Sequence, residues 1–465
     1  MPKIKKKYTK YKDNMKNIKP SYLSAENRTW LIPYMGDASF AAAATLRHFD
    51  IDAQVLPTNT KRGFELAQKH IQSEACYPLK GVTGDTLDFL KTENEKNGER
   101  FVDNKYFILM PTTTGPCRFG KYQETLRQFM DEEGFKEVPV GGPTTATDYS
   151  DILNQFYSDK DKLKLQQILM KGVTATDLLD DITLRTRPYA TDKQEVNQLK
   201  KQRLNELEIL LQEGAETQKL VEWGTETVNQ FKTHLSTNER FPLIVYAGEI
   251  YMRQHDPYTG NVIEKLEAQK LEAVRTPVME WIEYTNKVNR IDSKSKIGSG
   301  IKQLNPKKII ENSKKLLTQT IKGAYIHNVH QKIAKPFHEI LEGRHSLPEP
   351  LEIIKTLEKN NEFSGHIRGE SALSIGIGYY LMNNLIPESK NPISGMFHVG
   401  PFTCMQEGVA TAKIEAMSKE LRKTKPDLLF PVIHGTFGDS ANPNLDSEIA
   451  VFREQCYQKN KMLNN

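Results

Sequence analysis

The chain alternates short apolar runs with longer stretches in which apolar residues recur every three or four positions. Four such combinations begin near Arg28, Lys105, Phe241 and Gly395. The first, RTWLIPYMGDASFAAAATLRHFDIDAQVLPTN, has the pattern of a strand, a Gly-Asp turn, an Ala-rich helix and a second strand. Strands that alternate with helices are typical of parallel sheets covered on both faces. The pattern therefore predicts an α/β protein.

Two long stretches between these combinations carry only the helical period, from about Ser150 to Thr237 and from Asn286 to Asn384. We therefore predict two Rossmann- or flavodoxin-like parallel-sheet domains with helical insertions. The predicted organisation is a basic flexible tail (1–27), a first α/β domain (28–145), a helical segment (146–237), the start of a second α/β domain (238–285), a helical insertion (286–385) and the remainder of the second α/β domain (386–465).

Charge is unevenly distributed along the chain. The N-terminal sequence MPKIKKKYTKYKDNMKNIKP is basic but lacks the apolar core of a secretory signal, so we interpret it as a solvated tail. It contributes much of the net charge of +5, and nucleic acid is therefore not an expected partner. A second basic segment, Ser293 to Lys315, predicts a surface helix-loop region, with phosphate or partner binding as the alternative.

Composition indicates a soluble, cytoplasmic protein. The 465 residues contain no apolar run near the roughly 20 residues that a membrane helix needs. Four cysteines are too few for a disulfide scaffold in a chain of this length, and they fit a reducing compartment. We therefore expect neither a membrane span nor structural disulfides.

Three of the four cysteines, Cys76, Cys117 and Cys404, lie in Gly- or Pro-containing turns ahead of helical patterns, whereas Cys456 lies inside one. A thiolate is favoured near a helix N-terminus, and it is the form that binds metals or attacks substrates. No C-x-x-C spacing is present, so the residues alone leave two interpretations open. The cysteines are either small buried residues or the ligands of a three-thiolate metal site.

Four charged or titratable residues are further candidates for a site. Glu249 and Arg253, in GEIYMR, follow a predicted strand; lining a cleft is one interpretation and a local ion pair the other. Glu370, in RGESALS, is a helix-start carboxylate that could contact a substrate. His434, in VIHGTFGD, lies near a predicted strand end and is either a proton donor or metal neighbour, or a hydrogen-bonded structural histidine.

Five motifs, ACYP, GPCRFGKY, GEIYMR, RGESALSIG and VGPFTCM, occur in this order between Arg28 and Tyr457. Together they resemble the 2-hydroxyacyl-CoA dehydratase subunits and the related CoA-enzyme-activase components. The resemblance implies that three cysteines hold an oxygen-sensitive [4Fe-4S] cluster between two α/β domains, with one iron free for another ligand. The matching positions are Cys76, Cys117 and Cys404.

The resemblance also implies an activity and partners. It implies an iron-sulfur lyase or reductase component that receives an electron from a separate ATP-dependent iron-sulfur activator protein, with an acyl-CoA substrate and a homo- or heterodimeric assembly. The chain has no complete G-x-x-x-x-G-K-[ST] loop, so it would be the acceptor and not the activator. Two other classes remain: a non-catalytic binding or scaffold subunit that retains the fold, and a zinc-binding hydrolase that uses the same thiolates with His434.

Overall fold

The computed structural model describes residues 27–58, 60–113, 115–144, 158–236, 240–342, 344, 347–386, 391–425 and 428–464. The tail predicted for residues 1–27 therefore lies outside the described residues, except for Asn27. The chain divides into two compact units, Met1–Gln167 and Ile168–Asn465, which we call unit 1 and unit 2. Each unit contains one of the predicted sheets.

Unit 1 follows the predicted alternation of strands and helices. Its strands are β1 (Thr29–Ile32), β2 (Ala53–Val55), β3 (Tyr106–Leu109) and β4 (Val140–Gly141). Its helices are α1 (Ala38–Arg47), α2 (Thr60–Gln68), α3 (Tyr77–Asn97), α4 (Glu99–Lys105) and α5 (Tyr122–Glu132). A short 3₁₀ turn, Arg118–Lys121, precedes α5.

The four strands of unit 1 form one parallel sheet in the order β2-β1-β3-β4. Every residue of β1 and of β3 is buried, because helices cover both faces of a parallel sheet. At the centre, Trp30 pairs with Phe107 in the ladder and their rings lie 4.8 Å apart. The continuous apolar runs of these strands in the sequence reflect burial on two sides.

Unit 2 contains the second sheet and most of the helical stretches. Its strands are β5 (Leu243–Gly248), β6 (Glu272–Arg275), β7 (Ile393–Pro401) and β8 (Val432–Phe437). Its helices are α6 (Asp159–Thr186, which spans the unit boundary), α7 (Lys193–Gln212), α8 (Thr217–Lys232), α9 (Ile250–Gln254), α10 (Val262–Ala268), α11 (Val278–Lys302), α12 (Pro306–Ala334), α13 (Pro350–Lys359), α14 (Ser371–Met382), α15 (Met405–Thr424) and α16 (Leu445–Asn464).

The second sheet is also parallel, in the order β6-β5-β7-β8. If the strands of each unit are numbered from its own first strand, both sheets have the order 2-1-3-4. This order is the flavodoxin-like one of the two alternatives that the sequence predicted. The fold class, an α/β protein with two parallel-sheet domains and helical insertions, is confirmed.

Apolar side chains from helices α13, α14 and α15 pack with β5 and β7 to form a core of unit 2. Its members include Val245, Met396, Ile353, Ile375 and Ile414. Helix α14 is apolar on all sides, with eleven of its twelve residues buried. Such a helix has no solvent face, so its N-terminus is held at a defined place near the carboxyl end of β5.

A second feature of unit 2 is a buried network of ion pairs. The Arg344 side chain is fully buried and donates to Asp181 of α6 at 2.7 Å and to Glu272 of β6. Arg187 donates to Glu267 of α10 at 2.8 Å. Buried charges require partners of opposite sign. These pairs connect α6, and the turn that follows it, to the edge strand β6 and to α10.

Among the described residues, the helices are all too short or too polar to cross a lipid bilayer.

Candidate functional site

Cys76, Cys117 and Cys404 each occupy the residue that caps the start of a helical segment. Cys76 precedes α3, Cys117 precedes the 3₁₀ turn before α5, and Cys404 precedes α15. All three have extended backbones, with φ between −67° and −60° and ψ between 121° and 137°. The first amides of a helix lack intrahelical partners, and of the three thiols only that of Cys117 accepts a hydrogen bond from one of them, the Phe119 amide.

In unit 1, the loops that carry Cys76 and Cys117 contact each other. The Tyr122 hydroxyl, at the start of α5, donates a hydrogen bond to the Cys76 sulfur at 2.9 Å. Arg118 donates to the backbone carbonyl of Glu74 at 2.9 Å. Residues just after Cys117 therefore hold the loop that contains Cys76, although 41 positions separate the two cysteines.

The two thiols of unit 1 differ in exposure. Cys76 is buried, whereas Cys117 is exposed and its sulfur accepts a hydrogen bond from the Phe119 amide at 3.5 Å. Cys456 is also buried, but it lies inside α16, where its sulfur would be 2.6 Å from a Cβ added to Gly395. Cys456 is thus a packing residue, as its position in the sequence suggested.

In unit 2, Cys404 lies beside three carboxylates. Burial raises the pKa of its thiol far above the usual range, and Glu249, Glu407 and Glu370 raise it further. The backbone of Glu407, in the first turn of α15, acts in the opposite direction and lowers the pKa of the thiol. A negative sulfur in this setting requires a nearby positive charge, which a metal ion supplies when thiolates bind it.

Glu249 and Glu370 come together at the carboxyl end of β5. Glu249 follows the last residue of β5, its amide donates to the Val399 carbonyl at 3.0 Å, and its carboxylate accepts from the Met252 amide at 2.8 Å. Glu370, at the start of α14, accepts from the Ile250 amide at 2.9 Å. Both side chains are half-buried, so they line the site without being sealed from it.

The two carboxyl groups hold protons at unusually high pH. Burial raises the pKa of Glu249 to about 7, with the charge of Glu407 adding to the effect and Arg253 opposing it. Burial also raises the pKa of Glu370 well above its ordinary value, and the neighbouring Glu249 raises it further. A carboxyl pair of this kind exchanges protons near neutral pH, which is the property that acid-base chemistry requires.

Arg253 is positioned by a partner that the sequence did not suggest. Its guanidinium is buried and donates to Glu280 of α11 at 3.0 Å, and also to Thr276. Its positive charge lowers the pKa of both Glu249 and Glu370. Arg253 therefore balances part of the negative charge of the site while it forms a structural ion pair with Glu280.

His434 belongs to a chain of hydrogen-bonded side chains. Its Nδ1 lies 3.0 Å from Nδ1 of His398, and Nε2 of His398 lies 2.5 Å from Glu407. Nε2 of His434 lies 3.3 Å from a carboxylate oxygen of the partly exposed Glu415. Burial, with a contribution from His398, lowers the pKa of His434 to about 4, so this histidine is neutral at physiological pH.

Two residues that the sequence did not place in the site, Glu407 and Gln406, organise it. Glu407 contacts His398, and its charge raises the pKa of the Cys404 thiol. Gln406 accepts a hydrogen bond from the Ser371 hydroxyl, beside Glu370, and donates one to the Arg368 carbonyl at 3.3 Å. Both lie within three positions of Cys404. The first turn of a helix after a capping cysteine is the signal that could have identified them.

The two units place comparable side chains at equivalent points of their sheets. The loop after the third strand carries Cys117 in unit 1 and Cys404 in unit 2. In unit 1, the long helix before the third strand is α3, which begins after Cys76; the short α4 follows it. In unit 2, the helix before the third strand is α14, which begins after Glu370. In open α/β sheets, ligands bind beyond the carboxyl ends of the strands where the strand order reverses, and these loops lie there.

Within the part of the chain that the structure describes, no three His, Cys, Asp or Glu side chains are grouped so as to hold a metal ion. Comparison of the chain with family models, with curated proteins and with solved structures gave no match.

Proposed function

We propose that this chain is an iron-sulfur redox protein in which Cys76, Cys117 and Cys404 ligate one [4Fe-4S] cluster, and that it acts in low-potential reduction or dehydration. The observation that carries the proposal is the shared position of the three cysteines, each at the start of a helical segment. Cys76 and Cys117 lie on loops of the parallel sheet of unit 1, and Cys404 lies on a loop of the parallel sheet of unit 2. Thiolates are the ligands that iron-sulfur clusters require.

The surroundings of the thiols fit this role. The Phe119 amide donates to Cys117 and the Tyr122 hydroxyl donates to Cys76. Hydrogen bonds to ligand sulfurs tune the reduction potential of a bound cluster. Such a cluster supplies one-electron transfer, and the protein must supply everything else.

Proton supply is the contribution that Glu249 and Glu370 are suited to make. The raised pKa values keep at least one proton on the pair near neutral pH, beside Cys404. Glu407, His398 and His434 form a hydrogen-bonded chain that leads away from this region, and Nε2 of His434 lies 3.3 Å from the partly exposed Glu415. The pair can therefore donate a proton to a bound substrate, and the chain offers a path for its replacement.

The resemblance to 2-hydroxyacyl-CoA dehydratase subunits supplies the rest of the proposal. On that basis the substrate is an acyl-CoA thioester, the electron donor is an ATP-dependent iron-sulfur activator, and the location is the cytoplasm. The four cysteines are free thiols, which suits a reducing compartment. These assignments rest on the sequence motifs and stand apart from the cluster assignment.

Anaerobic purification followed by iron, sulfide and zinc analysis tests the cluster. We expect iron and sulfide with broad visible absorption, and we expect Cys76→Ala, Cys117→Ala and Cys404→Ala each to lose most of the iron. Cys456→Ala, a buried cysteine outside the site, is the matched control and should keep it. Equal iron content in all four variants contradicts the ligand assignment; zinc in place of iron supports the hydrolase, and a metal-free protein supports the scaffold.

A second measurement tests the activity separately from the cluster. The purified protein should be silent toward 2-hydroxyacyl thioesters until a low-potential reductant or an ATP-dependent activator is added. Activity in air without a reductant contradicts redox chemistry. Failure with every thioester, in a protein that holds iron and sulfide, removes the dehydratase assignment and leaves the cluster assignment intact.

A further inference from the structure

In the half of the α11–α12 hairpin that lies near the connection of the two helices, the buried side chains are polar; the other half of α12 buries Ile326, Val329 and Ile333. Between the helices, the Asn286 amide donates to the Gln319 side chain at 3.0 Å, and Asn312 and Ser293 are buried. Helix pairs of globular proteins normally bury their apolar stripe and expose their polar one. The packing near the connection therefore leaves the exposed Ile310, Leu317 and Ile321 without a role in the described fold.

The outward apolar side chains form one stripe along α12. Ile310, Leu317 and Ile321 are 56%, 62% and 62% exposed. With the exposed Lys314 and Ala324 they follow alternating steps of four and three residues, which is the spacing of a coiled-coil seam. Asn312 and Gln319, which face α11, lie on the opposite side of the helix, as this spacing requires.

The width and length of the stripe favour a helical partner. From Ile310 to Ala324 the stripe extends about 21 Å at 1.5 Å per residue, and it is only two positions wide. A helix that lies in a membrane surface needs a broader apolar face, often with aromatic residues, than this stripe provides. A nucleic acid backbone would contact lysines and leave the apolar side chains exposed.

The charge around the stripe selects the kind of partner. Ser293 to Lys315, the connection between the helices and their adjoining turns, holds seven lysines and one glutamate. If the partner were a second copy of this face, its lysines would lie opposite these lysines and repel them. The N-terminal tail would be repelled as well, because its first twenty residues contain eight lysines and one aspartate. An acidic surface is the complementary one.

We propose that the face of α12 formed by Ile310, Lys314, Leu317 and Ile321 is a docking surface for an α-helix of another protein, one that presents an apolar seam flanked by carboxylates. Binding would bury the exposed Ile and Leu side chains and pair the lysines with acidic residues. The surface lies on a helical insertion of unit 2 and requires neither a cluster nor any activity of the proposed site.

The probe is a fluorescent 21-residue helical peptide with Leu at the two seam positions of each heptad and Glu beside them. A second peptide carries Lys in place of Glu and is otherwise identical. Fluorescence anisotropy with the full, metal-free chain should show binding of the Glu peptide at least about ten-fold tighter than binding of the Lys peptide. Added salt should weaken it, because ion pairs at an exposed interface are screened.

Variants locate the binding face. Leu317→Ser combined with Ile321→Ser should weaken binding of the Glu peptide by about ten-fold or more, since two exposed apolar side chains lose their burial. Lys314→Glu should weaken the Glu peptide and strengthen the Lys peptide. Ile209→Ser on α7, equally exposed at 59%, is the matched control and should change neither. Circular dichroism should show the same helix content in all of them.

Four results would overturn the proposal. They are equal affinity for the two peptides, unchanged binding after the double substitution, self-association in sedimentation that the double substitution abolishes, and preferential binding of phosphatidylglycerol vesicles or single-stranded DNA. The third result assigns the face to a second copy of the chain, and the fourth to a lipid or nucleic acid surface.

Discussion

The charges around Cys404 determine whether Glu249, Glu370 and the Cys404 thiol are protonated in the metal-free protein. Three carboxylates lie near one thiol, and the buried Arg253 offsets only part of their charge because it is also paired with Glu280. Protonation of Glu249 and Glu370 relieves the remaining repulsion. The residues of the site are therefore coupled, so that a change at one alters the protonation of the others.

Replacement of Glu249 should change how stability depends on pH. Its pKa is about 7 in the folded protein against an ordinary value of 4.5, so the folded state holds a proton that the unfolded state has released between these values. Stability of the metal-free protein should fall as pH rises from 4.5 to 7. Glu249→Gln should be roughly 1–3 kcal/mol more stable than wild type at pH 8 and similar at pH 4.5.

Urea unfolding at several pH values measures this difference. The exposed Glu222 on α8 provides the matched control, and Glu222→Gln should leave the pH dependence as it is in wild type. If Glu249→Gln is destabilising at pH 8, the carboxylate makes a favourable contact there and its pKa is not raised.

Alkylation rates should separate the cysteines of the metal-free protein. At pH 8, Cys404 should react with iodoacetamide more slowly than the exposed Cys117, because burial and carboxylates raise the pKa of the Cys404 thiol. Glu249→Gln should increase the rate at Cys404 by roughly two- to ten-fold, since it removes a nearby negative charge. Peptide mass spectrometry measures both sites in one sample, and Cys117 should keep its rate as the internal control.

The sequence indicated where candidate residues lie along the chain, and it did not indicate which of them contact each other. Glu249, Glu370 and Cys404 were recognisable because each follows a strand or begins a helix. The pairing of Arg253 with Glu280 was not, since the two residues are 27 positions apart and on different helices. Glu407 was overlooked because a glutamate in the first turn of a helix is ordinary, and only its contact with His398 distinguishes it.

At the scale of elements, the end of β5 fixes the position of Glu249. Gly248, the last residue of the strand, has φ of +137°, and a Cβ there would lie 1.9 Å from the Val399 carbonyl oxygen. Only glycine fits such a close approach between neighbouring strands. The same approach allows the Glu249 amide to donate to that carbonyl, which links the loops after β5 and β7.

Gly248→Ala should therefore destabilise unit 2 by roughly 3 kcal/mol or more, because both the backbone angle and the Val399 carbonyl must change. Gly298→Ala is the matched control. Gly298 lies within α11 with nothing within 4 Å of an added Cβ, so alanine should stabilise the helix by about 0.5–1 kcal/mol. Chemical unfolding of both variants gives the comparison, and equal stabilities would contradict the steric argument.

Elements were the most predictable level of the structure. The apolar runs and the helical periods located both sheets and the helical stretches between them. The polar contacts between α11 and α12 near their connection were not predictable, since the pairing of Asn286 with Gln319 depends on the register of two long helices. The pattern in the sequence showed that apolar residues were present there, and it could not show that they face outward.

At the scale of the whole molecule, the two units repeat one strand order, and unit 2 adds a buried ion network that joins its helical part to its sheet. Arg344 has no exposed surface and connects α6 to β6. No hydrophobic or helical pattern around Arg344 in the sequence gave an indication of this role. Contacts between residues 72 and 163 positions apart are beyond what local patterns can predict.

Arg344→Met should destabilise the protein by about 3–5 kcal/mol, because the carboxylates of Asp181 and Glu272 would stay buried and lose the positive charge of Arg344. Arg453→Met is the control: Arg453 is a partly exposed arginine on α16 whose ion pair with Glu454 is at the surface, so its loss should cost at most about 1 kcal/mol. Thermal unfolding measures both. If Arg344→Met were as stable as wild type, the network would be dispensable for the fold.

The close approach at Gly248 has a consequence for how this protein diverges. A steric requirement of the backbone persists whatever the neighbouring side chains do, so a descendant could replace Glu249 or Cys404 and still need glycine at this strand end. A search pattern anchored on that glycine and on the apolar strand before it would retrieve descendants that keep Glu249 and Cys404 and descendants that have lost them. Comparison of the two groups would then show which of the surrounding residues change together with these two and which are maintained for the fold.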